Sequence, residues 1–560
     1  MTETRPWLKN YPSGMPANID VTKYPTLLDF LDTMFKRHGA RQAFYCMGKS
    51  LTYSQVDKYS RQMAGYLQSR GMEPGDRIAI MMPNLLQYPI ALFACLRAGL
   101  VVVNTNPLYT PREMEHQFND SGVKAIIIAE NFAANLEKIL PKTNIKTIVL
   151  TSIGEMLGPI KGLIVNFVVR KIKRMVPTYE LHNVVHFSAA LKAGKKFKIE
   201  PFEDGPDRVI VHQYTGGTTG VSKGAMLTNK NLVANMLQID SILDDILKDG
   251  EEVVLCPLPM YHIFAFTVNC LSMMGFGALT VLVTNARDLP SVIKEFKNHR
   301  ITLMTGVNTL YNALLHHKDF AGQDFSGLKT CVGGGMAVQR AVAEKWEEVT
   351  KCPLVEGYGM TEAAPVVSLN PIRGGGKPGS IGMPVPSTDV RVANDQGDVL
   401  GPEEVGEIQV SGPQVMKGYY NKPGETAKTI RDGWLSTGDI GKMDEDGYFY
   451  IVDRKKDMIL VSGFNVYPNE IEEVLARHPK VLEVAAIGIP SEKSGEMVKV
   501  FIVKKDKSLN EKEVIAYCKE NLTGYKVPKS VEFRKQLPKT NVGKILRKEL
   551  REEEMAKLKS

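Results

Sequence analysis

Short apolar runs that alternate with helix-like stretches constrain this chain more than any other feature. RIAIMM (77–82), AIIIA (125–129), TIVLT (147–151), RVIVHQY (208–214), VVLCPLP (253–259) and ALTVLV (278–283) are each bounded by turn residues. Hydrophobicity that is nearly continuous within a run belongs to a strand covered on both faces, as in a parallel sheet flanked by helices. The expected fold class is therefore α/β with mostly parallel, buried strands. From about residue 380 short strands separated by Gly, Pro and Asp turns follow, as in VRVANDQGDVLGPEEVGEIQVSG (390–412), which predicts a smaller β-rich subdomain. After IVDRKKDMI (451–459) the α/β pattern returns over enough chain for a small C-terminal domain. A boundary in the charged stretch 453–457 is physically sensible, because a solvated hinge tolerates charge. The same residues would also suit an ordinary hairpin turn. We place the expected domains at 1–455 and 456–560.

A chain of 560 residues, 43% hydrophobic and 24% charged, can bury a large core in more than one domain. The net charge, 70 − 62 = +8, is too weak a bias to argue for nucleic acid. It suits anionic small molecules or an acidic membrane face. The seven cysteines (Cys46, Cys95, Cys256, Cys270, Cys331, Cys352 and Cys518) form no CxxC pair and no zinc spacing, so a reduced, cytoplasmic protein is expected. The opening MTETRPWLKNYPSG has no apolar core and reads as no secretory signal. Residues 263–286 run 24 positions without a charge, long enough to span a bilayer. Asn269, Ser272, Gly275 and Gly277 interrupt them, and a buried helix followed by a strand is the better reading.

The chemistry concentrates in YTGGTTGVSKG (214–224), directly after an apolar strand. Gly216, Gly217, Gly220 and Gly224 let backbone N–H groups approach phosphate oxygens. The hydroxyls of Thr215, Thr218, Thr219 and Ser222 add donors, and Lys223 adds charge. No Gly-Lys-Ser/Thr closes the loop, so it is not a Walker motif. A lone Gly/Ser/Thr loop is more often a flexible turn, but these eleven residues in this order after a strand point to phosphate.

This loop, from Tyr214 on, resembles the phosphate-binding signature of the adenylate-forming superfamily, which includes acyl-CoA synthetases, peptide-synthetase adenylation domains and luciferases. Further motifs follow in the superfamily's order. PMYH (259–262) resembles the segment whose histidine, here His262, borders the acyl site. GGGM (333–336), with Gly333, Gly334 and Gly335, resembles the adenine-contacting turn. EGYGMTE (356–362) resembles the adenine and magnesium segment, with Tyr358, Gly359, Thr361 and Glu362. TGD (437–439) and Asp453-Arg454 resemble the ribose contacts Asp439 and Arg454, and PKTNVGK (538–544) resembles the loop of the catalytic Lys544. Within the superfamily, VSGFNVYPNEIEEVL (461–475) and LTGYKVPK (522–529) are most similar to bacterial long-chain fatty-acid–CoA ligases.

The resemblance implies a two-step ligase that uses a fatty acid, ATP and coenzyme A, with Mg²⁺ held by Glu362 and the Thr215 hydroxyl. In-line attack on the α-phosphate asks a protein mainly to position groups and neutralise charge. An acidic oxygen suits a hard cation, and Lys544 is a compact cation on a flexible stem. His262 is expected to line the acyl entrance rather than act as a base, since a fatty acid arrives ionised at neutral pH. Among the five lysines Lys529, Lys535, Lys539, Lys544 and Lys548, only the family motif selects Lys544. The family's acyl tunnel would lie between the His262 helix and residues 306–310. Phe266 falls where an aromatic gate can stand, although core packing explains it equally well. The small C-terminal domain would be mobile, turning about Lys456 between the half-reactions and bringing in Gly463 and Phe464.

Residues 160–174 join an apolar run to Arg170, Lys171, Lys173 and Arg174. At 100° per residue the charges do not collect on one face. Peripheral contact with an anionic leaflet, on the inner face of the cytoplasmic membrane, and a solvated helix end both remain open, as does a homodimer. Other functions to weigh are an acyl-AMP ligase that loads a carrier protein, a medium-chain synthetase, a luciferase-like oxygenase, and a nucleotide-binding regulator without turnover.

Overall fold

The computed structural model describes residues 5–215, 222–491, 493–540 and 543–559. One large sheet runs Gly418–Tyr419, Lys223–Thr228, Val209–Thr215, Val101–Asn104, Arg77–Met81, Val123–Ala129, Thr147–Thr151, Val184–His186. It is parallel from Val209–Thr215 onward. A second large sheet has a parallel centre of Leu354–Gly359, Thr330–Gly333, Leu303–Gly306, Val253–Cys256, Leu279–Leu282 and Gln42–Cys46. The expected α/β class is thus realised, and for the expected reason: Val101–Asn104 and Thr147–Thr151 are buried at every position.

The helix Gln87–Arg97 is buried along its whole length, as a helix apolar on all sides must be. It belongs to one core with Ile78 and Val102 of the first sheet and Leu255 and Met304 of the second. The uncharged stretch 263–286 resolves into the π-helix Ala265–Ser272, a short turn Met273–Gly275 and the strand Leu279–Leu282. Among the described residues no helix is long and apolar enough to cross a membrane. In that stretch the buried Asn269 accepts a hydrogen bond from Thr305 Oγ1 (2.8 Å), which satisfies its amide oxygen inside the protein.

The β-rich region is an antiparallel sheet of Asp389–Ala393, Gly406–Ser411, Trp434–Met443, Ile430–Arg431 and Phe449–Arg454. Burial alternates strictly along Gly406–Ser411. Beyond it, Ile459–Val461, Phe464–Val466, Val481–Ser491, Gly495–Lys504 and Ser530–Arg534 form a five-stranded sheet, accompanied by the helices Pro468–Ala476, Glu511–Asn521 and Arg547–Lys559. The two apolar clusters of this smaller unit draw on no residue before Ile459. Ligands of parallel sheets bind beyond the carboxyl ends of the strands. Here the ends of Leu303–Gly306, Thr330–Gly333, Leu354–Gly359 and Val209–Thr215 face one space.

Candidate active site

A cavity of about 1140 Å³ occupies that space. Tyr214, Thr215, Lys223, His262, Gly334, Gly335, Tyr358, Gly359, Thr361, Glu362, Arg454 and Lys544 all line it, although they span more than three hundred positions of sequence. Gly333 lies just beneath, in register with Gly306 and Glu356. Gly224 lies beside the wall, where a Cβ would meet the Tyr214 ring at 2.9 Å. Gly216, Gly217, Thr218, Thr219 and Gly220 fall outside the described residues.

Two local conformations explain glycine here. Gly335 has φ +75°, a left-handed value that side chains rarely adopt, and a Cβ on Gly359 would stand 2.2 Å from the Pro365 carbonyl. Opposite them the polar groups are cross-linked. Tyr358 Oη donates to Asp439 Oδ2 (2.6 Å), and Arg454 Nε lies 3.0 Å from Asp439 Oδ1. Asp439 is buried behind these two partners rather than lining the cavity itself. Glu362 is also buried; its Oε1 accepts from Tyr419 Oη (2.7 Å), and its carbonyl accepts from Met416 N (2.8 Å). Lys223 forms an ion pair with Glu425 (3.0 Å) and lies over the Tyr419 ring, 4.5 Å from its centre. Tyr214 donates to Asp120 (2.7 Å), which also pairs with Lys422 (3.2 Å).

Lys544 enters from the C-terminal unit. Its loop closes on itself through Thr540 N to Lys544 O (2.7 Å) and Lys544 N to Thr540 Oγ1 (3.0 Å). Loss of water around its ammonium, reinforced by nearby Arg454, brings its pKa down to about 7. His262 is pushed down to about 4 by the same desolvation and by Lys544, so it is neutral at physiological pH. Phe264 N donates to its Nδ1 (3.4 Å).

One arm of the cavity is apolar. Ile239, Ile242 and Leu243 of the helix Asn229–Leu243 face Ile263, Phe264, Val268 and Leu303 across it. Phe266 is not at this surface: it is fully buried in the core, and Phe264, two residues earlier, meets the cavity instead. Sequence reading also missed Tyr419, Asp120, Lys422 and Glu425, none of which stands in a motif. The i, i+3, i+4 spacing of Ile239, Ile242 and Leu243 was a visible signal, but it reads as core packing.

The described residues contain no cluster of three His, Cys, Asp or Glu able to hold a metal. One buried carboxylate, Glu362, and one hydroxyl, Thr215, instead offer oxygen on the same cavity wall. That donor set fits a hard cation whose other ligands are phosphate and water.

The family described as AMP-binding enzyme matches residues 31–420, and the AMP-binding enzyme C-terminal domain matches 470–544. The chain is 53% identical over 551 residues to the long-chain-fatty-acid–CoA ligase of Yersinia pestis, covering 98% of each. It is 52% identical over 553 residues to that of Escherichia coli O157:H7, covering 99% of each. ATP-bound MatB from Rhodopseudomonas palustris shares the fold at a TM-score of 0.81 and 27% identity, over 93% of this chain and 98% of that one.

Proposed function

The chain belongs to the AMP-binding enzyme family, and from that premise we propose that it is a long-chain-fatty-acid–CoA ligase. It converts a long-chain fatty acid and ATP to acyl-AMP and pyrophosphate, then transfers the acyl group to coenzyme A with release of AMP. The observation that carries this reading is the shape of one cavity. An apolar arm under Ile239, Ile242 and Phe264 runs into a polar chamber holding Glu362, Arg454 and Lys544. An acyl tail in the first would present its carboxylate in the second.

In the first half-reaction a carboxylate oxygen bonds to the α-phosphorus while the bond to pyrophosphate breaks. Lys544 reaches this point from the C-terminal unit and offsets the negative charge that builds there. Neutral His262 borders the carboxylate without repelling or protonating it. The Tyr358 ring offers adenine a flat face beside Gly334 and Gly335. Asp439 Oδ2 accepts from Tyr358 and Oδ1 pairs with Arg454, which leaves the carboxylate acceptor capacity for a ribose hydroxyl. Mg²⁺ bound at Glu362 and Thr215 would neutralise phosphate charge, and the Tyr419 hydroxyl holds that carboxylate in place. For the second half-reaction the residues after 455 turn about Lys456, which withdraws Lys544 and admits the thiol.

Contact with an anionic membrane belongs to the same reading. In the helix Pro159–Phe167 and the π-turn Val168–Ile172, Gly162 and Val169 are buried, and Asn166 bonds inward to Gly154 N (2.8 Å) and Ser152 Oγ (2.9 Å). Ile160, Leu163, Ile164, Phe167 and Ile172 point to solvent, with Ile160 75% exposed. Arg170 pairs with buried Glu130 (2.5 Å), so Lys171, Lys173 and Arg174 are the cations left to meet lipid. Each is worth about 1 kcal/mol at such a surface. Replacing all three should weaken binding to phosphatidylserine vesicles and leave activity in solution intact; salt-insensitive binding would refute the contact.

The decisive experiment is ATP–pyrophosphate exchange across a series of fatty-acid lengths, with and without coenzyme A. Exchange driven by long-chain acids without coenzyme A, and thioester with it, is expected. Exchange that no fatty acid stimulates would overturn the assignment.

A further inference from the structure

The peptide unit between Gly543 and Lys544 is held at both ends. Its N–H, on Lys544, donates to Thr540 Oγ1 within the loop (3.0 Å). Its C=O, on Gly543, accepts from Thr309 Oγ1 (3.0 Å), 234 positions away in the large part of the chain. Among the described residues no other side-chain hydrogen bond of the loop 538–546 crosses to that part.

The donor is fixed. Thr309 is the second residue of the helix Asn308–Leu315, whose Tyr311 is fully buried and donates to the Met304 and Val332 carbonyls (3.2 and 2.9 Å). Asn308 Oδ1 accepts from Gln339 N (3.0 Å) and anchors the helix start. A β-branched side chain there has few rotamers to search. The acceptor is shaped for close approach: Gly543 has φ +84°, and a Cβ on it would meet Thr309 Oγ1 at 2.6 Å. The residue that follows is the lysine whose ammonium lies in the cavity.

We propose that Thr309 is a positioning residue that docks the lysine loop for adenylate formation and releases it for thioester formation. The proposal rests on the two-step reading given above. A single neutral hydrogen bond shifts an equilibrium by about five- to tenfold. That is strong enough to favour the docked arrangement and weak enough to break in each cycle.

The test uses Thr309→Val, which keeps the shape and deletes the donor, beside Thr309→Ser, which keeps the donor. Acyl-AMP formation and thioester synthesis from supplied acyl-AMP are measured separately, with hydrogen exchange of the peptide carrying Gly543 and Lys544. The valine variant should lose about five- to tenfold in acyl-AMP formation only, with faster exchange at that peptide. The serine variant should stay near wild type. Equal losses in both half-reactions, no loss in either, or a serine variant as impaired as valine would overturn the latch. A Lys544→Ala control distinguishes the two levels: if it retains acyl-AMP formation, the assignment of the lysine fails, and the latch with it.

Discussion

The two sides of the cavity are tied down to very different degrees. On the large side, Tyr358, Asp439 and Arg454 bond to one another from three strands, while Glu362 is held through its carboxylate and its carbonyl. On the other side Lys544 sits on a unit with its own apolar core, and among the described residues its loop crosses to the large side by one side-chain bond, from Thr309. Groups that the proposed cycle uses in both half-reactions need fixed geometry, and strands of two sheets packed into one core provide it. In the proposed cycle Lys544 serves one half-reaction and must leave, and a loop bond of about 1 kcal/mol is weak enough to break each time.

The largest expected effect comes from freezing the side proposed to turn. Lys456→Pro fixes φ near −65°, and thioester synthesis should fall by orders of magnitude while acyl-AMP formation stays near normal. The Lys456 amine is itself buried without a hydrogen-bond partner, and burial lowers its pKa to about 8. Lys456→Ala removes that amine but leaves the backbone free, so it should preserve both steps; matching losses in the two variants would mean the amine matters and the pivot does not. Next in size, Lys544→Ala should cost about a hundredfold, roughly 3 kcal/mol, in acyl-AMP formation. Thioester synthesis from supplied acyl-AMP should survive it. Equal damage to both steps would erase the contrast between the two sides.

The smallest effect is on binding. With its pKa near 7 in the free site, Lys544 is largely neutral above that pH. Phosphate beside it raises the pKa, so ATP binding takes up protons above pH 7, and affinity falls as pH rises, by at most about tenfold per unit for one such group. Calorimetry at pH 8 in buffers of different ionisation enthalpy reads the uptake directly. Lys544→Ala should reduce it; unchanged uptake would place the responsible group elsewhere, with Lys456 the next candidate.

Much of this was legible in order along the chain. The buried strands announced themselves as continuous apolar runs, and Tyr358, Thr361 and Glu362 stand within one seven-residue motif. The partners of those residues were not legible, because nothing local marks them: Tyr419 meets Glu362 across 57 positions and Thr309 meets Gly543 across 234. Phe264 rather than Phe266 reaches the cavity: Phe264 stands just before the π-helix Ala265–Ser272, whereas Phe266 lies within it and is buried in the core, a difference that no motif marks. The apolar run from residue 160 was legible beside its basic cluster, but which of its side chains point outward was not: Gly162, Asn166 and Val169 turn toward the protein, and Ile160, Leu163, Ile164 and Phe167 are left exposed.

The sequence by itself determined the α/β class, the family and the residue types that meet in the cavity, because these depend on contiguous patterns and on chemistry that few side chains can perform. Only the tertiary structure decided which side chains hold those residues in place, where the apolar arm runs, and that Thr309 bonds to the Gly543 carbonyl next to Lys544. Those depend on distances between segments far apart in the chain, and packing, not local pattern, sets such distances.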